Sequence, residues 1–287
     1  MILISLLIAL ALEFHFKLGS EYRNFSWFNL LRDRVSDFFA DKAYFSSWGG
    51  IAIILLLPLL TLFIIVNLFD GLMYSVVLWL ASIIILFLCL GPKTLENSFQ
   101  GYFKSIKNED YEGAFLQLNS ITTEEDESAD IPEKDELVRS ATQKILTESQ
   151  SRYFGVIVWF ILLGPLGALF YRLSHIYYRN CKLKDFDEHF PLMAQLIHWL
   201  DWVPARITSL FFLLTGDFVN GFYRNKDYMS DLDADNNELI SATGLAALGL
   251  KMGLNNPDID ENSLAMDMVH RTVIIYLVVA ALIVTTV

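Results

Sequence analysis

The sequence has little charge and little cysteine for its length. Charged residues make up 19% of its 287 residues, and hydrophobic residues make up 54%. The two cysteines, Cys89 and Cys181, are too few for a disulfide framework and lack metal-site spacing. Acidic residues outnumber basic ones by 33 to 21, which argues against nucleic acid as a partner because its phosphates would be repelled. These absences exclude a disulfide-stapled secreted domain and a nucleic-acid-binding protein.

Signatures of catalysis and metal binding are missing too. No two of the five histidines have the i, i+4 spacing that places both imidazoles on one helical face. No Gly-x-Ser-x-Gly elbow occurs, and Gly91-Pro-Lys-Thr94 lacks the upstream glycine of a phosphate loop. Asp231 begins an acidic run like a calcium loop, but Asn236 and Ala242 stand where that loop needs glycine and glutamate. We therefore expect no metal ion, no cofactor and no catalytic residue.

Long apolar stretches with no charge are what the sequence does contain. One runs from 49 to 66, and a second runs from 71 up to Lys93. Each is long enough to cross about 30 Å of hydrocarbon as a helix. Residues 67–70 join them, so the two spans are expected to form an antiparallel hairpin. The lipid bilayer is therefore a predicted partner of this chain.

Three further apolar segments are shorter or interrupted. Residues 1–12 are too few to cross alone, but the helix can reach Leu18 if Glu13 and Lys17 pair on one face. Residues 154–171 contain Gly164-Pro165, where the segment either kinks or turns back. Residues 272–287 are long enough only for a thin or pinched bilayer. Together these segments predict an all-α fold, a polytopic helical membrane protein with cytoplasmic helical segments.

The sequence divides into three predicted regions. Residues 1–92 form a membrane region with a short first helix and the two-span hairpin. Residues 93–153 form a cytoplasmic helical connector, whose acidic loop at 124–136 is typical of a solvated, mobile segment. Residues 154–287 form a second membrane region with amphipathic helices and a final span.

The basic residues predict the orientation of the chain. They lie in three groups, at 13–48, 93–152 and 172–271. An even number of crossings separates the first two groups, so both are expected in the cytoplasm. The third group joins them there if the chain turns back at Gly164-Pro165 or returns in the region 190–215.

A dense polar cluster, Asp201, Trp202 and Arg206, follows an amphipathic helical pattern at 191–200. Proline is tolerated near a helix start, so Pro204 predicts that the chain breaks and that Asp201 caps a new helix. Two interpretations of the cluster stay open. It is either the edge of a ligand-binding pocket, or a helix cap with an arginine reaching lipid headgroups.

Three segments of the sequence carry a resemblance to a known family. They are Glu13–Gly19 (EFHFKLG), Gly164–Arg172 (GPLGALFYR) and Leu200–Arg206 (LDWVPAR). In their order and spacing they resemble AmpE, an inner-membrane family associated with β-lactamase induction, and more distantly the CobD and CbiB cobalamin-biosynthesis proteins. The resemblance implies a multi-pass regulator of the bacterial inner membrane, linked to cell-wall recycling and without an evident reaction. It implies an unknown small ligand or a cell-wall-recycling partner.

The distant branch implies an alternative, an adenosylcobinamide-phosphate synthase that forms an amide with aminopropanol phosphate. The chain departs from that branch at polar positions, since the synthases' Glu-Ser-x-x-Glu-Asn run survives only as Glu148-Ser149. A synthase uses such polar groups to position its substrates and to stabilise the charge that develops in the transition state. Their loss therefore favours the interpretation of this chain as a regulator. The candidate ligand-binding residues are Asp201, Trp202, Arg206, Glu13, Lys17, Glu148 and Arg172.

Overall fold

The computed structural model describes residues 2–15, 25–39, 42, 45–68, 71–91, 95–121, 133–183, 188–250 and 260–286. Helices make up almost all of these residues and no β-strand occurs among them, which confirms the all-α prediction. The helices are α1 (Ile2–His15), α2 (Ser26–Phe39), α3 (Trp48–Asn67), α4 (Gly71–Cys89), α5 (Leu95–Lys107), α6 (Tyr111–Ile121), α7 (Lys134–Ser149), a π-turn (Gln150–Phe154), α8 (Gly155–Leu183), α9 (Phe190–Thr215), α10 (Phe218–Ser230), α11 (Asn236–Ala247) and α12 (Glu261–Thr286).

Three helical runs in the described chain are long and apolar enough to cross a membrane: Trp48–Asn67, Lys134–Leu183 and Glu261–Ile283. The first is the predicted span at 49–66. Its exposed side chains are large and apolar, for example Leu60, Phe63 and Ile64, each more than half exposed, which suits lipid and not water. The chain is therefore a membrane protein.

Two predicted spans differ in length from their helices. The span expected from 71 to 93 ends as α4 at Cys89, because Gly91-Pro92 follows and Gly91 has a φ of 108° that a helix does not allow. The final helix, expected only from 272, begins at Glu261 and has 26 residues. The expectation of a very short final span was therefore wrong. The helix extends backwards because Ala265, Met268 and Val269 are buried apolar residues at helical spacing.

The described chain forms two compact units. The first unit contains residues 1–92, 155–200 and 279–287, and the second contains 93–154 and 201–278. In the first unit α4 packs against both α1 and α8, and α3 packs against α8. Its fully buried side chains include Leu6, Ile54, Leu86 and Phe160.

The second unit packs α5 against α6, α7 against α11, and α10 against α11. Helix α7 buries an apolar stripe, since Leu137, Ala141 and Ile145 follow helical spacing and are fully buried. Gly244 of α11 lies so close to Leu146 that a Cβ would meet its methyl groups at 2.6 Å. A side chain at position 244 would therefore require the Leu146 side chain to move.

The chain reverses direction inside α8. Gly164 has φ 67° and ψ −155°, which are not helical values, and Pro165 follows it. Gly155 and Tyr171 would be about 24 Å apart along a straight helix. Instead the Tyr171 hydroxyl lies against Gly155 with no room for a Cβ, and the Trp159 carbonyl lies against Gly167. Of the two predicted alternatives, the structure therefore has the turn back.

Candidate functional site

Helix α9 carries the predicted polar cluster and continues through Pro204. It runs unbroken from Phe190 to Thr215, so Asp201 lies inside the helix and does not cap a new one. The predicted break was wrong for a specific reason. Pro204 has no N–H to donate to the carbonyl of Leu200, but the indole Nε1 of Trp159 donates to that oxygen at 3.1 Å. A side chain thus replaces the missing backbone hydrogen bond.

Arg206 is buried and held entirely by protein acceptors. Trp202 lies over its guanidinium, 4.0 Å from the ring centroid. Each of its five N–H groups has an acceptor: Met229 O for Nε (3.4 Å), Trp202 O and Asn236 Oδ1 for Nη1 (3.1 Å each), and Tyr228 O (3.5 Å) and Asp231 O (2.5 Å) for Nη2. No N–H of this guanidinium is left over for a ligand.

The acceptors of Arg206 lie where α10 ends and α11 begins. The carbonyls of Tyr228, Met229 and Asp231 belong to the last turn of α10 and its C-cap, where carbonyls lack helical partners and a cation is favoured. Asn236 is the first residue of α11. Burial lowers the pKa of the Arg206 guanidinium, and the negative charge of Asp231 opposes that shift. Arg206 therefore fixes the α10–α11 connection to α9.

The other members of this cluster are placed differently. Asp201 is 8% exposed, and Trp202 is half-buried. The indole Nε1 of Trp202 is buried and has no hydrogen-bond acceptor among the residues that the structure describes. A buried donor left without an acceptor costs about 1–3 kcal/mol, so it marks a place where a ligand or water would be favoured.

A second group of buried polar side chains surrounds the π-turn of the second unit. Glu148 Oε2 accepts from Arg152 Nε at 2.8 Å, and Arg152 Nη1 donates to Ser98 Oγ at 2.6 Å. Both members of the ion pair are about nine-tenths buried. The Glu148 carboxylate is therefore engaged in a buried ion pair within the second unit.

The π-turn also presents Gln150 to α9 and α12. Thr208 Oγ1 donates to Gln150 Oε1 at 2.6 Å and lies 2.8 Å from Tyr276 Oη. Thr208 has one hydroxyl hydrogen, so Tyr276 must be the donor in the second bond. Gln150 Nε2 finds no acceptor in the described part of the chain. π-Turns often occur at functional sites, and this one places a buried amide in a polar network.

Further polar pairs complete this interior. Lys144 Nζ donates to Asn119 Oδ1 at 3.1 Å. Asn262 accepts from Thr142 at 3.0 Å and donates to the hydroxyl of Tyr102 at 3.1 Å. Burial raises the pKa of Tyr102 to about 12, with the hydrogen bond to Asn262 acting in the other direction. The second unit therefore has a polar core in addition to an apolar one.

The remaining predicted site residues lie in the first unit or outside the described chain. Glu13 is 1% exposed near the end of α1, as expected for a residue facing the interior of a helix bundle. Arg172 is half-buried on α8, after the reversal. Lys17 lies outside the described residues, and with it the predicted Glu13–Lys17 pair. The second unit contains Asp201, Trp202, Arg206 and Glu148.

Sequence reasoning missed several residues of this interior. Arg152 could have been found, since its i, i+4 spacing from Glu148 is typical of a helical ion pair. The network of Gln150, Thr208 and Tyr276 could not have been found from the sequence. Thr208 contacts Gln150, which lies 58 positions earlier, and Tyr276, which lies 68 positions later. No group of three or more described His, Cys, Asp or Glu side chains could hold a metal ion.

Comparison with known proteins decides the family. The model of the family described as "Regulatory signalling modulator protein AmpE" matches residues 1–286. The chain belongs to the AmpE family. It is also similar to two proteins named "Cobalamin biosynthesis protein CobD". The one from Stutzerimonas stutzeri is 26% identical over 79% of this chain and 74% of its own length. The one from Chromobacterium violaceum is 26% identical over 61% of this chain and 55% of its own length. No solved structure matches.

Membership of the AmpE family agrees with the resemblance carried by the three sequence segments. One of them, Leu200–Arg206, is the α9 segment that binds the α10–α11 connection. Another, Gly164–Arg172, contains the reversal of α8. Two of the three segments that identify this AmpE-family chain therefore occupy positions where the fold makes unusual demands on the backbone.

Proposed function

We propose that this AmpE-family chain is a multi-pass regulator of the bacterial inner membrane that links cell-wall recycling to β-lactamase induction. The observation that carries the proposal is the match of the regulatory family over residues 1–286. The ion pair between Glu148 and Arg152 supports it, because it occupies the run where the synthases' polar residues are expected. The chain transmits a signal and carries out no reaction.

In this proposal residues 13–48 and 93–152 face the cytoplasm and the tip at 67–70 faces the periplasm. The basic residues at 172–271 join the cytoplasmic side, since α8 reverses at Gly164.

Cysteine labelling tests this orientation. Cys89 and Cys181 are first replaced, and single cysteines are then introduced at Asn67 and Glu125. An impermeant thiol reagent added to intact cells is expected to label the first and not the second. The reverse pattern would overturn the orientation.

The signal is proposed to act at the polar cluster of Asp201, Trp202 and Arg206 on α9, here called the α9 cluster. Arg206 is a positioning residue, since its donors hold the α10–α11 connection. Trp202 offers a buried indole N–H for recognition, and the buried Asp201 precedes it in α9. Glu13, Lys17, Glu148 and Arg172 stay predicted ligand-binding residues.

β-Lactamase induction in a strain lacking the gene tests the function. The wild-type chain is expected to restore induction, and Asp201→Asn is expected to accumulate in the membrane without restoring it. The matched control is Asp217→Asn, the same chemical change at an exposed helix N-cap where asparagine caps equally well. Full restoration by Asp201→Asn would show that the cluster is scaffold. An unaltered induction in the deletion strain would contradict the proposed function itself.

The alternative is a synthase that forms an amide with aminopropanol phosphate. The similarity to the two CobD proteins favours it, at 26% identity. Such an enzyme needs polar groups aimed at the reacting centre. In the second unit the polar groups around Glu148 are directed at one another, which favours the regulator.

A further inference from the structure

The first unit contains a cavity of about 410 Å³ that lies among α2, the turn before α3, α8 and the start of α9. This volume falls in the range of small-molecule sites. None of the six candidate ligand-binding residues that the structure describes lines it. The cavity is therefore a separate feature from the α9 cluster.

One wall of the cavity is aromatic, and short hydrogen bonds join its residues to one another. His189 Nε2 lies 2.6 Å from the carbonyl oxygen of Phe45, and His189 Nδ1 lies 2.5 Å from the hydroxyl of Tyr177. A carbonyl only accepts, so Nε2 carries the hydrogen and Tyr177 donates to Nδ1 in the neutral imidazole. Gly50 lies against the Phe45 carbonyl with no room for a Cβ. This wall is therefore fixed in position.

A second wall of the cavity comes from α2 and is charged. Arg32 has a side chain only 8% exposed, and its Nε and Nη2 donate to Asp33 Oδ1 at 3.2 and 2.8 Å. Its Nη1 is buried and has no acceptor among the described residues. A charged donor buried without an acceptor is costly, so this wall lacks an oxygen that a bound molecule can supply.

The negative charges of two further carboxylates at this cavity are not neutralised by Arg32. Asp37 and Glu188 line it and are exposed, and neither forms an ion pair with a residue that the structure describes. Asp37 also lies in the last turn of α2, where the helix dipole favours cations.

We propose that this cavity binds a small basic amino acid, free or at the end of a short peptide. Its ammonium groups pair with Asp37 and Glu188, and its carboxylate accepts from Arg32 Nη1. A bare metal ion fits less well, because no described cluster supplies three metal-binding side chains. The binding goes beyond the proposed regulatory function and does not depend on it.

Calorimetry of the purified full-length protein in detergent tests the proposal with three related probes. L-Lysine carries both charges of the ligand class, L-norleucine lacks the side-chain ammonium group, and cadaverine lacks the carboxylate. L-Lysine is expected to bind, and each truncated probe to bind about tenfold more weakly or worse. Using cadaverine avoids replacing Arg32, whose loss from the buried wall would disturb folding.

Matched variants assign the binding to this cavity. Asp37→Asn and Glu188→Gln, both at exposed positions, are each expected to weaken L-lysine binding about tenfold. L-Norleucine keeps only the α-ammonium group, so only one of the two variants is expected to weaken its binding. The control Glu112→Gln, on α6 of the second unit, is expected to change the binding of neither probe. Equal binding of L-lysine and L-norleucine, no L-lysine binding at several millimolar, or unchanged binding in both cavity variants would each overturn the proposal. Because the assay uses purified protein, it can fail while the induction phenotype holds, and the converse.

Discussion

The hydrogen bond from Trp159 to Leu200 gives the sharpest stability prediction. Trp159→Phe keeps an aromatic ring but removes the Nε1–H that donates to the Leu200 carbonyl at 3.1 Å. Leu200 is 6% exposed, and the helix cannot supply another donor because Pro204 has no N–H. The carbonyl is then buried without a partner, which costs about 1–3 kcal/mol.

A double-mutant cycle separates this bond from the loss of indole packing. Pro204→Ala restores a backbone N–H four residues after Leu200, so the carbonyl regains its helical donor. In that background Trp159→Phe is expected to cost about 1 kcal/mol less than in the wild type. The difference corresponds to roughly 2–4 °C in melting temperature for a chain of about this size.

Circular dichroism of the detergent-solubilised protein is the assay, because tryptophan fluorescence itself changes with the substitution. Trp199→Phe is the matched control, since Trp199 lies next to Leu200 on α9 and is 51% exposed, so its replacement is expected to cost less than about 0.5 kcal/mol. An equal cost of Trp159→Phe in both backgrounds would refute the reasoning.

Three further predictions concern the second unit. Arg206→Gln is expected to lower the free energy of unfolding by about 3 kcal/mol, and Arg206→Lys is expected to lower it by less. The control Arg271→Gln, at an exposed position, is expected to lower it by less than about 1 kcal/mol. Equal melting temperatures for all three variants would contradict this prediction. Arg152→Met leaves the Glu148 carboxylate buried and is expected to cost about 3–5 kcal/mol, whereas adding Glu148→Gln should recover much of it in the same melting assay. The fold raises the pKa of Tyr102 to about 12, so the contribution of this residue to the free energy of unfolding is complete below about pH 10 and is lost as pH rises through 12. Chemical unfolding at several pH values is expected to show this loss in the wild type and a smaller one in Tyr102→Phe.

The membrane helices and the stripe of α7 could be predicted because their signals are local. Charge-free stretches give α3 and most of α4, and helical spacing gives the buried face with Leu137, Ala141 and Ile145. The continuity of α9 could not be predicted in this way. It depends on Trp159, which lies 41 residues before the carbonyl it serves.

The candidate sites show the same limit. The α9 cluster could be recognised in the sequence as a motif. Apart from Trp202, however, the residues that accept hydrogen bonds from the Arg206 guanidinium lie 22 to 30 residues later in the chain. The cavity near Arg32 joins α2 to Tyr177 of α8 and to Glu188 and His189 just before α9, which are far away in sequence. No spacing rule links such positions, since tertiary packing alone brings them together.

Growth rescue of a strain that lacks adenosylcobinamide-phosphate synthase is the most direct test of the claim that this chain regulates and does not catalyse. The chain would be expressed to a membrane level matched to that of a functional synthase, under conditions where growth requires cobalamin synthesis. The account predicts no growth above the empty vector while the functional synthase restores it. Growth restored by this chain would contradict the account and establish the enzyme.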